Sequence, residues 1–407
     1  MLTKNQQTYD HLSSLIVEGI PQSKWPSNIR KLWKSATFID QLELYEVLDT
    51  HNEDNPRILS ALTEYYFDNG NYHQAEKTCE KLQKLQPKRV SSYLYLAICS
   101  LLKNNTQQFT RVLKKFLIKK ARKKIPLLPL ARLILSAPDS SFVHKTLLQL
   151  IRDLNISYTS DEKIFLQEAC QYLVQLNSPE KDCKRPLINY NLDQEINYSA
   201  DTQSGRTVIL FLEKSDAFGF IPIETIDRYF ASQNTNLITC HDHQGLSGMN
   251  GFQQHGNSFE DSLQYLNSLC EKYNTQKLTL LCYSLGSYGV VNYGLKMQAN
   301  NIICFSGMGD ISHKNLKNKK ISYPKIVERM NKNFTEEQLD LRKTIEHYDI
   351  TSQIHWIYGE DCYIDSHQAK KIINIENVKP TIMKAARNHD SLFRCSLDGS
   401  LFKFLNL

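Results

Sequence analysis

Hydrophobic residues follow different patterns in the two halves of the chain. Through about residue 178 they recur at the three- and four-residue spacing of amphipathic helices. From Thr207 onward, short and nearly continuous apolar runs alternate with helical segments, which indicates a parallel sheet covered on both faces. The predicted strands are residues 207–212, 236–240, 278–282, 301–305, 353–358 and 379–385, and the predicted helices include residues 223–232, 259–273, 367–373 and 392–405.

Residues 55–87 carry the pattern of a helix–turn–helix repeat of about 34 residues. Gly70 and Asn71 suit the turn between two helices, Ala75 permits their close approach, and Pro87 closes the unit. The segment resembles a tetratricopeptide repeat, and its neighbours keep the helical spacing without the signature. Because one repeat cannot bury its apolar face alone, we predict a tetratricopeptide-like helical domain over residues 1–178. A generic helical bundle is the alternative.

The remaining chain is predicted to hold a linker and a second domain. Residues 179–205 are polar and rich in Asn, Asp and Ser, which is typical of a linker. Residues 206–407 then form the domain with the parallel sheet. Within it, residues 308–352 are helical in pattern and longer than a connection needs, so they are predicted to be a cap or lid insertion. The predicted fold class is therefore α + α/β.

Composition agrees with a globular protein of more than one domain. The chain has 407 residues, of which 41% are hydrophobic and 23% are charged. Its net charge is +6, and much of the basic excess lies within residues 114–124. An acidic partner would suit that run, but the solvated face of a helix is the simpler interpretation. Aromatic residues do not interleave with the basic ones, so no nucleic-acid partner is predicted.

Cysteine usage and hydropathy bear on the location of the protein. The ten cysteines are scattered without a C-x-x-C pair, which favours a reducing compartment over a disulfide framework. The first residues lack the apolar core of a signal peptide. The longest apolar stretch, residues 125–137, is too short to span a bilayer. We therefore predict a cytoplasmic protein without a membrane span.

A strand, a serine and a helix follow one another over residues 278–289. This order is typical of a nucleophile elbow, in which a sharp strand-to-helix turn exposes the serine and requires small residues beside it. Gly286 and Gly289 meet that requirement, whereas Cys282 stands where glycine is more common. The pattern predicts Ser284 as a nucleophile.

An acid and a histidine follow this serine at the ends of the last two predicted strands. With Ser284, then Asp361, then His389, residues 206–407 resemble the α/β-hydrolase superfamily, whose chain order is Ser, Asp or Glu, His. The resemblance implies that Ser284 attacks an acyl carbonyl and that His389 takes its proton. It further implies that the aspartate orients the imidazole.

The identity of the acid has alternatives. Asp361 is favoured because it lies directly after the strand. Asp365 begins the next predicted helix, where it can serve either as the acid or as a helix N-cap. Glu360 is a third candidate.

An oxyanion hole needs two donors. The backbone N–H of Leu285, directly after the nucleophile, is predicted to be one, and the N–H of Ser215 or Asp216 is inferred as the other. His241 and His243 flank an aspartate in a later loop, but the set lacks further clear ligands, so no metal site is predicted there.

The predicted function is that of a serine esterase that needs neither metal nor cofactor. A repeat domain joined to a hydrolase resembles arrangements found in bacterial surface-polysaccharide loci, which implies a carbohydrate ester as substrate. An acyltransferase with the same residues is the first alternative. The second is a catalytically inactive scaffold, because Cys282 departs from glycine and no His-Gly-Gly-Gly motif is present. The helical repeats imply a protein or peptide partner.

Overall fold

A computed structural model describes most of the chain from residue 72 onward. The described residues are 72–87, 89–120, 127–156, 165–177, 183–191, 193–201, 203–212, 217–256, 258–316, 325–348, 351–384, 386 and 389–406, with single positions between 56 and 66. They divide into two compact units. Described residues up to 156 belong to the first unit, except residues 130–136, which belong to the second with everything from residue 165. The boundary between the two units therefore falls before residue 178, which the sequence predicted as the end of the helical domain.

The first unit is helical. Its helices are α1 (Tyr72–Leu85), α2 (Val90–Leu102), α3 (Thr106–Lys120), the start of α4 (Leu127–Leu135) and α5 (Ser140–Asp153). Ala75 on α1 is fully buried, as a close approach of helices requires. The predicted turn at Gly70 and Asn71 lies outside the described residues, so the tetratricopeptide repeat remains a prediction.

The second unit is built on a seven-stranded sheet. Its strands are β1 (Ile196–Ser199), β2 (Arg206–Leu212), β5 (Asn236–His241), β6 (Lys277–Tyr283), β7 (Asn301–Phe305), β8 (Gln353–Gly359) and β9 (Val378–Met383), and β3 (Ala217–Phe218) forms a separate hairpin with β4 (Ile221–Pro222). The order in the sheet is β1-β5-β2-β6-β7-β8-β9, with only β1 antiparallel to its neighbour. The predicted, mostly parallel sheet is confirmed, and it is consistent with an α/β-hydrolase fold.

Helices cover this sheet and connect its strands. They are α6 (Cys170–Asn177), α7 (Ile223–Ser232), α8 (Phe259–Lys272), α9 (Ser287–Lys296), α10 (His313–Leu316), α11 (Lys325–Asn333), α12 (Leu341–His347), α13 (Tyr363–Ala369), α14 (Ser391–Leu397) and α15 (Ser400–Leu405). The predicted last helix is thus two helices, divided at Gly399, whose φ of +74° ends the helical path.

Strand β1 lies inside the segment that the sequence predicted to be a linker. Ile196 and Asn197 are buried, whereas Tyr198, the next residue of the strand, is exposed. The strand is short and mostly polar, so hydrophobic patterning did not reveal it. The described residues from 183 onward therefore belong to the second unit rather than to a separate linker.

A buried ion pair anchors the residues before β1. Arg185 Nη1 lies 2.7 Å from Asp227 Oδ1 on α7, with side chains 0% and 5% exposed. We expect Arg185→Ala to lower the free energy of unfolding by about 3–5 kcal/mol, because it leaves a buried carboxylate without its counter-ion. Urea denaturation measures this loss. The matched control is Lys343→Ala, which breaks an exposed pair with Glu337 and should cost at most about 1 kcal/mol. Equal losses in the two variants would contradict the prediction.

The insertion between β7 and β8 packs onto the sheet-covering layer. Its described helices are α10, α11 and α12, and Val327, Met330 and Ile345 are fully or almost fully buried in the core. Tyr288 of α9 donates a hydrogen bond from Oη to the carbonyl oxygen of Leu339, at 2.8 Å. The described part of the insertion is therefore fixed against α9.

None of the ten cysteines, all of which lie in the described part of the chain, forms a disulfide. Most are buried, and burial raises the pKa of Cys99 and Cys395 to about 12, so these thiols stay protonated and pack as small apolar side chains. Among the described helices, none is long and apolar enough to cross a membrane.

Candidate active site

The turn between β6 and α9 exposes Ser284. The residue begins a short 3₁₀ turn, Ser284–Gly286, and its φ of +54° lies in the left-handed region. Such a conformation costs roughly 1–3 kcal/mol for a residue with a side chain and is concentrated at active sites. Ser284 is partly exposed.

Two glycines leave the space that this turn needs. A Cβ on Gly289 would lie 2.2 Å from the carbonyl oxygen of Ser247, and one on Gly286 would lie 3.0 Å from Cβ of Cys282. Gly286 thus faces Cys282 directly. The side chain of Cys282 fits at a position usually held by glycine because the residue opposite it has none.

The serine, the histidine and an aspartate form a continuous hydrogen-bonded row. Ser284 Oγ lies 2.7 Å from Nε2 of His389, and Nδ1 of His389 lies 2.5 Å from Oδ1 of Asp365. The His389 side chain is 29% exposed, and that of Asp365 is 0% exposed. When the ring proton is on Nδ1, which donates a hydrogen bond to Asp365, Nε2 is left to accept the proton of the serine hydroxyl.

The carboxylate beside His389 is that of Asp365, not of Asp361, which the sequence favoured. Asp361 and Glu360 are both exposed in the turn after β8. Helix α13 begins at Tyr363, four residues before the predicted start, and its first turn directs Asp365 inward. The exact start of this helix determines which aspartate reaches the histidine.

Ser306, at the end of β7, supports the buried carboxylate. Its Oγ donates to Oδ2 of Asp365 at 2.7 Å, and the N–H of Gly359 donates to the same oxygen at 3.3 Å. Burial alone would raise the pKa of Asp365, but the hydrogen bond and charge of His389, together with these donors, lower it below its ordinary value. Asp365 is therefore ionised at neutral pH.

The sequence did not indicate Ser306 or Tyr283, the residue before Ser284. Tyr283 donates a hydrogen bond from Oη to the carbonyl oxygen of His389, and the two rings lie 5.3 Å apart between centroids. Both residues end parallel strands of the sheet, where functional groups collect. That position was the available signal for Ser306.

The structure covers the predicted oxyanion donors only in part. Leu285 is buried in the turn directly after Ser284, where an N–H donor is expected. Ser215 and Asp216 lie outside the described residues.

The loop with His241 and His243 is organised by the aspartate between them. The Asp242 carboxylate accepts backbone N–H bonds from four residues, including Leu246 at 2.5 Å and Gly248 at 2.8 Å. Asp242 therefore holds a turn. No group of three or more His, Cys, Asp or Glu that could hold a metal ion occurs in the part of the chain that the structure describes.

No protein-family model matches the chain, and no curated protein matches it. The capsule O-acetyltransferase of Neisseria meningitidis serogroup A is 16% identical, with a TM-score of 0.39 over 57% of this chain and 99% of that one. Serine hydrolase F of Staphylococcus aureus, which binds fluorophosphonate, is 16% identical, with a TM-score of 0.38 over 55% of this chain and 95% of that one. Esterase B of Lactobacillus rhamnosis is 9% identical, with a TM-score of 0.38 over 65% and 96%.

Proposed function

We propose that this chain is a serine esterase that cleaves an acyl ester through an acyl-enzyme. The observation that carries the proposal is the 2.7 Å contact between Ser284 Oγ and His389 Nε2, with the Asp365 carboxylate on the other ring nitrogen. A neutral serine is a weak nucleophile, and this contact supplies the base that activates it.

The reaction would proceed in two stages. Ser284 Oγ bonds to the carbonyl carbon while its proton moves to Nε2 of His389. The imidazolium is stabilised by Asp365, and the N–H of Leu285 donates to the oxyanion of the tetrahedral intermediate. The intermediate expels the alcohol, which takes the proton from His389, and an acyl-serine remains. Water, deprotonated by His389, then releases the acid and restores Ser284.

The proposed substrate is a carbohydrate ester, and transfer of the acyl group to a sugar hydroxyl is the second candidate. The two activities share the acyl-enzyme and differ only in the nucleophile that the site admits. A groove beside α9 is lined by several Asn and Gln residues, which favours a sugar in both cases.

The proposal also covers a partner of the helical unit and the location of the protein. The helical unit would bind a protein or peptide partner, since stacked helical repeats offer extended surfaces for such ligands. A cytoplasmic location is supported by the cysteines, most of which are buried and none of which forms a disulfide.

Labelling with a fluorophosphonate probe tests the proposal. We expect the folded protein to be labelled at Ser284, with tandem mass spectrometry locating the adduct. Ser287 is the internal control, because it lies in the same tryptic peptide as Ser284 but is buried. Its Oγ donates a hydrogen bond to the carbonyl oxygen of Met308 at 3.0 Å. Heat-denatured protein should not react. A folded protein that takes no label would favour the inactive scaffold.

A further inference from the structure

A cavity of about 740 Å³ lies beside α9, apart from the serine and histidine. Its walls are the loop after β5, the start of α8, the end of α9 and the insertion helices α11 and α12. All of these belong to the second unit. Pockets that hold small ligands measure about 300–1,000 Å³, so this groove has the size of a binding site.

The polar lining of the groove is dominated by uncharged groups. Six residues with carboxamide side chains line it: Gln244, Asn250, Gln253, Asn292, Asn333 and Gln338. The two charged side chains of the lining, Lys296 and Glu260, neutralise one another in an ion pair of 3.0 Å. A carboxamide both donates and accepts hydrogen bonds, as a sugar hydroxyl does. The groove therefore suits a neutral ligand rich in hydroxyl groups.

Several of these carboxamide groups already make one hydrogen bond within the protein, through either the NH₂ group or the oxygen. Asn292 donates from Nδ2 to the carbonyl oxygen of Tyr288 at 2.7 Å, which leaves its Oδ1 as an acceptor. Gln338 accepts at Oε1 from the N–H of Thr335 at 2.9 Å, which leaves its NH₂ as a donor. Groups fixed in this way lose little freedom when a ligand binds.

Aromatic rings complete the lining. Phe259, Phe334 and Tyr348 line the groove and are partly buried against the core. The Phe259 ring is fixed by Tyr293, at 4.3 Å between centroids. A pyranose ring has an apolar C–H face and a rim of hydroxyl groups, so rings beside amides match both of its surfaces.

From these observations we propose that the groove binds a neutral oligosaccharide. The proposal deepens the esterase assignment by naming the site that holds the carbohydrate part of the substrate, and only the link to catalysis rests on that assignment. Asn292 comes eight residues after Ser284, which corresponds to about 12 Å along a helix. One sugar of a chain could occupy the groove while the acylated sugar reaches Ser284.

Calorimetric titration of the Ser284→Ala variant tests binding without turnover. The probes are maltotetraose, cellotetraose and triacetylchitotriose, with tetragalacturonate as an anionic comparison. We expect saturable binding of at least one neutral probe. Asn250→Ala/Gln253→Ala, which removes two exposed amides, should weaken it about tenfold or more. The control is Gln171→Ala, an exposed amide on α6 outside the groove, with affinity unchanged within about twofold.

A second variant and the labelling experiment distinguish a failure of oligosaccharide binding from a failure of esterase chemistry. Gln338→Ala approaches the groove from the insertion and should also weaken binding, with the thermal midpoint of each variant recorded to show that it folds. Saturation by none of the neutral probes, equal affinity in the amide variants, or tighter binding of tetragalacturonate would each overturn the proposal. Fluorophosphonate labelling of the wild type reports on Ser284 alone, so esterase chemistry can fail or succeed independently.

Discussion

Replacing Ser284 with alanine is expected to lower kcat for p-nitrophenyl acetate by a factor on the order of 10⁶. Without Oγ no acyl-enzyme forms, and His389, 2.7 Å away in the unaltered protein, has no hydroxyl to activate. Only binding and oxyanion stabilisation would remain, and these alone give a small fraction of the full acceleration. Steady-state kinetics with highly purified variant protein measures the loss.

Ser287→Ala is the matched control for this variant. Ser287 lies one turn further on and is bonded to the main chain of Met308 rather than to His389. Its loss should affect stability by about 1 kcal/mol and leave kcat within about tenfold. If Ser284→Ala retained as much activity as Ser287→Ala, Ser284 would not be the nucleophile.

The sharp turn at Ser284 could be predicted from the sequence because the requirements of such a turn are local. A strand followed at once by a helix needs a strained residue at the turn and small residues around it, and Ser284, Gly286 and Gly289 satisfy both conditions within a few positions. The parallel sheet was predictable for a similar reason, since buried strands form continuous apolar runs. The fit of Cys282 against Gly286 was not predictable, because it depends on a contact across the turn.

The carboxylate beside His389 could not be chosen from the sequence, because its position depends on where one helix begins. Asp361 and Asp365 are four residues apart, and both follow the same strand. Because α13 starts at Tyr363, the Asp365 carboxylate lies within hydrogen-bonding distance of His389, whereas Asp361 is exposed. The support from Ser306 comes from another strand, 59 residues away in the chain. Linear spacing carries no information about such a contact.

The two aspartates are therefore expected to differ sharply in function. Asp365→Asn should lower kcat by a factor on the order of 10⁴, because an amide can donate to Nδ1 and favour the wrong imidazole tautomer. It also removes the negative charge that stabilises the imidazolium. Asp365 has a lowered pKa, so this charge is present at neutral pH and is lost only on acidification below the ordinary carboxyl range. Kinetics on p-nitrophenyl acetate at neutral pH measures the effect.

Asp361→Asn is the matched control, since it makes the same chemical change four residues earlier at an exposed position. We expect it to change kcat by less than about twofold and stability by less than about 0.5 kcal/mol. Thermal unfolding of both variants separates a loss of chemistry from a loss of fold, because the buried Asp365→Asn must also rearrange its bonds to Ser306 and Gly359. A large loss of kcat in Asp361→Asn with near-normal activity in Asp365→Asn would return the acid to the position that the sequence favoured. It would also mean that α13 shifts when substrate binds, since the 2.5 Å contact of Asp365 with His389 would then have to break for catalysis.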